Sequence, residues 1–511
     1  MSKTFTREEV ARHTSESDLW IIIDTDIYDL SRFVELHPGG VFPLMQVAGK
    51  DATDQFYEMH KQDVLLKYKR FKIGTIAGEK PQIHMYQPGE LSKVPYAESS
   101  FFMGYKSPYY SERHTQFRQA VRKILDELKP QAQEYEATGE RPSDEFTQIL
   151  GKHHLLAANI GPDAVKLLPP GTLLPGGIKV EEYDYFFELV LHEEFARWVS
   201  PGTGTGVLGG MTISLPTVVN FAKPHIKAKV VPEVLSGQKR MALAISEPYT
   251  GSDVAGIKTT ATLSADGSHY IVNGVKKWIS TGRFADYFST AVRTDKGISM
   301  LLIERSEGVE TKAIHTSYAQ SAGTAYVSFE NVKVPVENLL GVENQGFKVV
   351  LSNFNHERYS MLCGASMAAR IIIQDCFKWA NQRKVFGKRL IDQPVIRNKL
   401  AGMISQMESM HAWLENLTYQ MNHMSYNEQS TKLAGPLALC KYQMTRMLHN
   451  VADDACQIFG GRAITKTGMG RNIETFQRTY KFSAILGGSE EIMADLGVRQ
   501  AMKYFPRDAR L

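Results

Sequence analysis

Polar and apolar positions change their rhythm several times along the chain. Thr6-Arg7-Glu8-Glu9 has the spacing of a capping box before a helix. The short apolar run Trp20 to Ile23 then predicts a strand, and this first unit closes near Gly78. Residues 81 to 100 are polar and spaced by Pro81, Pro88 and Pro95, which is linker composition. From about 108 to 240 apolar residues recur mainly at helical intervals. Residues 241 to 340 carry β-branched runs broken by Asp266-Gly267 and Asn273-Gly274, both of which predict hairpins. Long helical periods rich in Met, Leu and Ala return from 341 to the end, with no internal repeat.

At 511 residues the chain is too long for one core, and three to four structural units are expected. Hydrophobic residues at 43% and charged residues at 22% describe an ordinary globular protein. The net charge of +4 arises from 59 basic and 55 acidic residues without blocks, so no nucleic-acid partner is indicated. Cys363, Cys376, Cys440 and Cys456 show no C-x-x-C spacing, which argues against a disulfide framework or a zinc site and suits a reducing compartment. The polar start MSKTFTREEV lacks a signal-peptide core. The most apolar long window, Gly206 to Val219, is short and contains Pro216, so no membrane span is expected. The final Ala509-Arg510-Leu511 fits a C-terminal peroxisomal address; without it the expected location is cytoplasmic.

The segment ELHPGGVFPLMQVAGKDATDQFYEMH places His37 at a tight His-Pro-Gly-Gly turn and His60 after a helix-like acidic stretch. Two such imidazoles fit the two faces of a flat ligand. Filling both axial positions of a haem iron leaves outer-sphere electron transfer as its task. The first 80 residues closely resemble the cytochrome b5 haem-binding domain, whose axial ligands match His37 and His60 and whose cofactor is haem b. Lys61 departs from the Ser of many relatives, at a position outside the ligation.

Three weaker signals carry less. GTGTGVLGG, Gly202 to Gly210, begins like a dinucleotide fingerprint but follows a helical segment, so close helix packing explains it better. His192-Glu193 lacks the second His of a zinc-protease motif, Ala196 standing in its place. His153-His154 has no partner pattern. The β-rich region offers more. AISEPYTGSDVAG, Ala244 to Gly256, gathers small residues and hydroxyls into one loop, and KKWISTG offers Trp278 for stacking with Ser280 on the same face of a strand. A hairpin with a core tryptophan explains either piece alone.

Together they resemble the acyl-CoA dehydrogenase family over about residues 105 to 508. NFNHERYS, QRKVFGKRLIDQPVI, ACQIFGG and AILGGSEEIM follow in the family's order. The resemblance implies FAD held across a subunit interface of a homo-oligomer, a dimer or tetramer. It places Leu243 to Ser252, including Ile245 and Ser246, along the isoalloxazine and pyrophosphate, with Trp278 stacked near the flavin and Ser280 near N5. It also implies that Arg383, Phe386 and Gln457 to Gly461 reach the neighbour's FAD, that Ser489 and Glu491 close the site, and that Ser252, Asn355 and Arg358 contact the acyl-CoA. Ala463 departs from a frequent glycine.

The family reaction desaturates an acyl thioester: a carboxylate takes the α proton while a hydride leaves the β carbon for flavin N5. Many members keep that acid near the C-terminus, where this chain has Gly487 in Leu486-Gly487-Gly488-Ser489. Isovaleryl- and long-chain-type relatives hold it earlier, before an arginine, and Glu357-Arg358 matches. Glu357 is also the carboxylate on a helix side shared at helical spacing with Val350, Phe354, Met361 and Gly364. Desolvation there would raise its pKa and its basicity. The backbone N–H of Gly487 would polarise the thioester oxygen, a task glycine performs as well as glutamate.

The expected organisation is a cytochrome b5-like α+β domain (1–80), a linker (81–107), an N-terminal α-helical domain (108–240), a central β-barrel domain (241–340) and a C-terminal four-helix bundle (341–511). The expected activity is FAD-dependent α,β-desaturation of an acyl-CoA, from β-oxidation or specialised metabolism, with electrons relayed to the tethered haem or a separate acceptor protein. Alternatives are an acyl-CoA oxidase using oxygen, and a haem electron carrier whose large domain only binds.

Overall fold

Thr6 caps the helix Arg7–Val10: its side chain accepts from the Glu9 N–H, and Glu9 accepts from the Thr6 N–H. A computed structural model describes residues 3–509, so Arg510 and Leu511 of the expected peroxisomal address lie outside the described residues. The chain divides into two compact units. One comprises residues up to Gln87 with Cys376–Asn398 and Cys456–Glu474; the other comprises Pro88–Asp375, Lys399–Ala455 and the residues from Thr475 onward.

In the first unit five strands run in the order Lys3–Phe5, Lys72–Ile76, Asp26–Asp29, Asp18–Ile23 and Thr14–Ser15. Alternation along Asp18–Ile23 sends Leu19, Ile21 and Ile23 into a core with Tyr28, Val34 and Leu44, while Ile22 packs with Val10, Ile27 and Ile76. Both faces of this small sheet are therefore covered. The helices Val41–Val47 and Thr53–Met59 carry the chain past the two predicted histidines. The later segments of this unit include a small hairpin, Lys384–Val385 against Lys388–Arg389. Trp379 there stacks on Phe459, and the Arg462 guanidinium lies over the indole.

The second unit opens with a helical layer. The helix Glu112–Thr138 buries Phe117, Val121 and Leu125 against Tyr185–Ala196 and its neighbours. Within that interface Arg118 and Arg122 are fully buried among Glu98, Glu193 and Glu194. Removing one member of such a network leaves an unpaired buried charge, at a cost of about 3–5 kcal/mol. Glu98 belongs to the stretch whose composition suggested a linker. That stretch is not loose: the Gln82 N–H donates to Asp24, the Gly89 N–H donates to Asp126, and Arg122 donates to the Glu90 carbonyl and Glu98. Gln82, Gly89, Glu90 and Glu98 make specific anchoring bonds there, while Pro81, Pro88 and Pro95 stay exposed.

The middle region is an eight-stranded mixed sheet. Asp266-Gly267 does turn a hairpin, between Thr260–Leu263 and His269–Ile279, closed by the Ser264 N–H donating to the His269 carbonyl. Asn273-Gly274 does not. It lies inside the strand His269–Ile279 at a register shift against Ala325–Pro335, because apolar alternation continues on both sides and Gly274, at φ +150°, lets the strand pass close to Thr259. The glycines of Gly202–Gly210 lie in helix, as their packing role requires: a Cβ on Gly206 would strike the Ser321 carbonyl, and one on Gly210 the Met241 carbonyl.

The C-terminal region is built from the long helices Phe354–Gln382, Pro394–His423 and Ala434–Phe459, followed by Arg471–Ile485 and Glu490–Met502. Val350 belongs to a separate short helix, Gly346–Ser352, because the chain breaks at Asn353; it does not continue the Glu357 face. Among the described residues no helix is long and apolar enough to cross a membrane.

Candidate active site

His37 follows the short turn Val34–Leu36, and His60 ends the helix Thr53–Met59. Their ring centroids lie 6.1 Å apart. Two metal–imidazole bonds of about 2 Å each, with half of each ring, fill that distance. The His37 Nδ1–H donates to the Gly40 carbonyl at 2.9 Å, and the His60 Nδ1–H to the Phe56 carbonyl at 3.3 Å. A carbonyl only accepts, so both Nδ1 atoms carry the proton and both Nε2 lone pairs are free for a metal. A side chain at Gly39 would come within 2.9 Å of the His37 ring, which explains a glycine there. Exposed Leu36, Phe42, Met59 and Leu66 flank the histidines in sequence and supply apolar surface for a macrocycle to cover. These features fit a bis-histidine haem.

In the second unit Glu357 sits in the first turn of its helix, where burial pushes its carboxyl pKa up, against opposing effects of Arg358, Lys441 and His356. Its Oε1 lies 3.4 Å from the point where a Cβ on Gly487 would stand, and Met361 Sδ lies 3.0 Å from the same point. The acid supplied by the helix thus occupies the space that an acid at 487 would enter. Gly487, at φ +63°, and Gly488, at φ +99°, form a turn that ordinary side chains disfavour. Arg358 Nε donates to the Gly487 carbonyl at 3.2 Å, and Arg358 Nη1 to Asn355 Oδ1 at 3.3 Å. Of the residues expected to contact acyl-CoA, Asn355 and Arg358 therefore meet each other and the 487 loop, while Ser252 is exposed on a different loop.

Leu243 lies in the strand Met241–Ala244, and Ile245 and Ser246 follow it. The neighbouring strand ties them down: Lys276 Nζ donates to the Ile245 carbonyl at 3.1 Å, and the Lys277 N–H to the Ser246 carbonyl at 2.9 Å. The two sequence segments expected to form one pocket are thereby adjoined. Trp278 and Ser280 do not share a face as simple alternation required. A register shift between Lys276 and Ile279, with Trp278 at φ +67° and Thr281 at φ +60°, leaves Trp278 52% exposed and Ser280 8% exposed. Two left-handed non-glycine residues flanking Ser280 store backbone strain of a kind that clusters at ligand sites.

Ser489 caps Glu490–Met502 by accepting from the Ile492 N–H, and Glu491 is exposed beside it. Arg383, Phe386, Gln457 and Gly461 belong to the first unit. Phe386 stands at its hairpin tip at φ +49° and 96% exposed; Gln457 and Gly461 are exposed as well.

Models of four protein domains match the chain in sequence. The cytochrome b5-like haem/steroid binding domain covers residues 6–77, and the acyl-CoA dehydrogenase N-terminal, middle and C-terminal domains cover 111–238, 242–332 and 344–502. The chain belongs to the acyl-CoA dehydrogenase family. It is 38% identical to the acyl-CoA dehydrogenase apdG of Emericella nidulans, over 82% of this chain and 98% of that protein. It is 28% identical to the mitochondrial long-chain specific acyl-CoA dehydrogenase of Mus musculus, over 76% of this chain and 87% of that protein. Among solved structures, an acyl-CoA dehydrogenase from Geobacillus kaustophilus superposes with a TM-score of 0.66 at 26% identity, over 78% of this chain and all of that one. The Bacillus anthracis enzyme complexed with FAD gives 0.68 at 25% identity, over 78% of this chain and 68% of that one. The molecule is an acyl-CoA dehydrogenase carrying a b5 domain, and its cofactors are FAD and haem.

Several residues of this acyl-CoA dehydrogenase escaped the sequence reading. Glu247 is buried and accepts from the N–H groups of Lys258 and Thr259 and from Lys276 Nζ at 2.8 Å, giving the expected flavin loop its shape. Burial pushes the Lys276 pKa down to about 8. Lys441 is buried with Nζ donating to the carbonyls of Ser483 and Gly488 at 2.9 and 2.7 Å. The available signal was a lone charge in an apolar run for Lys441 alone, since Lys276 adjoins Lys277 and Glu247 lies between Ser246 and Pro248.

Proposed function

We propose that this enzyme desaturates an acyl-CoA thioester between its α and β carbons, with Glu357 as the base. The observation that carries this reading is the position of Glu357 Oε1 beside Gly487, where the two alternative acids of the family would converge. Burial makes the ionised carboxylate a stronger base than a surface glutamate, while Arg358 and Lys441 favour ionisation. The Gly487 N–H would donate to the thioester oxygen and stabilise the enolate that forms as the α proton leaves. Arg358 and Asn355 would steady that loop beneath the ligand. Bound FAD would supply a hydride acceptor at N5, and haem b, held by His37 and His60, a one-electron carrier.

The haem is the proposed outlet for the electrons, ahead of any separate acceptor protein. We also propose a homo-oligomer, supported by a phenylalanine tip, Phe386, that is fully solvated in one chain.

The test is anaerobic rapid mixing of the holoenzyme with an acyl-CoA panel, following flavin and haem absorbance together. Flavin bleaching by one chain class, followed by haem reduction within the turnover time, is expected. A flavin that no acyl-CoA bleaches would overturn the reading; bleaching with an oxidised haem would remove the relay alone.

A further inference from the structure

Lys441 lies on the helix Ala434–Phe459 with 1% of its surface exposed, yet among the described residues it pairs with no carboxylate at contact distance. A buried ammonium normally requires a counter-charge or a full set of acceptors. Here its protons go to two main-chain carbonyls, Ser483 and Gly488, on either side of Gly487. Arg358 takes the carbonyl of Gly487 itself. The segment around the Gly487 N–H is thus held through three carbonyls, those of Ser483, Gly487 and Gly488, by two cations. Lys441 Cε and Glu357 Oε1 both lie within 4 Å of the same point, the missing Cβ of Gly487.

We infer that Lys441 is a positioning residue for the dehydrogenation: it fixes the Gly487 N–H against the thioester oxygen and sets a positive charge beside the Glu357 carboxyl. This inference rests on the reading of Glu357 as base. Through Lys441 the loop gains a rigid donor, and the enolate gains a nearby positive charge without a hydrogen bond that would quench the base. The charges acting on Glu357 are Arg358 and His356 from its own helix and Lys441 from the facing one. His356 is largely compensated by Glu188, 2.6 Å from its Nε2. Arg358, although hydrogen-bonded to Gly487 and Asn355, keeps its charge and favours the ionised carboxyl more strongly than Lys441 does. Lys441 in turn faces Arg358, Glu357 and Glu490; burial first, then Arg358, brings its own pKa down to about 8. Its charge is therefore present at neutral pH and fades above that value.

The test uses FAD-loaded full-length enzyme and an acyl-CoA whose β carbon is replaced by sulfur, which blocks hydride loss and leaves the α proton removable. Removal of that proton beside oxidised flavin produces a long-wavelength charge-transfer band, and its pH midpoint reads the base. Lys441→Met and Lys441→Gln should raise the midpoint by about one to two pH units. They should lower kcat about tenfold or more with little change in KM, and Lys441→Arg should recover most of both. Unchanged midpoint and kcat in FAD-loaded Lys441→Met would overturn the inference. Loss of FAD from all three variants would do so too, making Lys441 a folding residue. Absence of the band in wild type would instead reject Glu357 as the base.

Discussion

Glu357→Gly combined with Gly487→Glu moves the acid from the helix to the loop. The two positions converge on one point, since Glu357 Oε1 is 3.4 Å from the Cβ that residue 487 would acquire. Glu357→Gly alone removes a general base, worth about 10²–10⁴-fold in rate, or about 3–5 kcal/mol of barrier. The compensating glutamate must adopt φ near +63°, a conformation costing roughly 1–2 kcal/mol outside glycine. It must also displace the Met361 thioether, 3.0 Å from the new Cβ, which a flexible side-chain end can accommodate. The double variant should then regain at least about tenfold in kcat over Glu357→Gly and unfold earlier than wild type. Gly487→Glu alone places two carboxyls against each other, so one stays protonated and the acid limb of the rate profile moves to higher pH. Steady-state rates with an artificial acceptor, normalised to bound FAD, decide it. A fully flavinated double variant no faster than Glu357→Gly would refute the convergence.

His37→Ala or His60→Ala should abolish the low-spin haem spectrum while leaving FAD content unchanged, as seen by absorbance of purified protein. Glu247→Ala strips two backbone N–H groups and Lys276 of their acceptor; a loss of about 3–5 kcal/mol should appear as FAD release at lower urea. Because the Lys276 pKa is lowered to about 8, the unfolded chain binds more protons between about 8 and the ordinary 10.5. Its contribution to stability therefore rises with pH across that window, and wild type should gain up to about 3 kcal/mol relative to Lys276→Met. Phe386→Ser should shift the oligomer toward smaller species in sedimentation, since the exposed ring loses the contact it is proposed to make.

The b5 module was legible because its histidines sit beside turn residues whose chemistry is local: Pro38, Gly39 and Gly40 dictate a backbone before any packing occurs. Glu357 was legible for a different reason, as a charge on an otherwise apolar helix side. Long-range anchoring was not. Glu98 looked like linker composition, but its fate depends on Arg118 and Arg122. Asn273-Gly274 carries the local preference of a hairpin and was overruled by the strand continuing on both sides. Trp278 followed strand alternation in sequence, and the register shift that exposes it arises from pairing with a strand many residues later. Nothing local in the sequence marks the acceptors of Lys441; only the return of the 483–488 loop supplies them.

Exchange of the ligand's α hydrogen with deuterated solvent, followed by NMR on the sulfur-substituted acyl-CoA bound to FAD-loaded enzyme, tests the base most directly. Wild type should exchange it rapidly, and Glu357→Gln, with flavin and ligand still bound, should be slowed by at least about a hundredfold. Exchange at the wild-type rate in Glu357→Gln would mean that another group takes the proton.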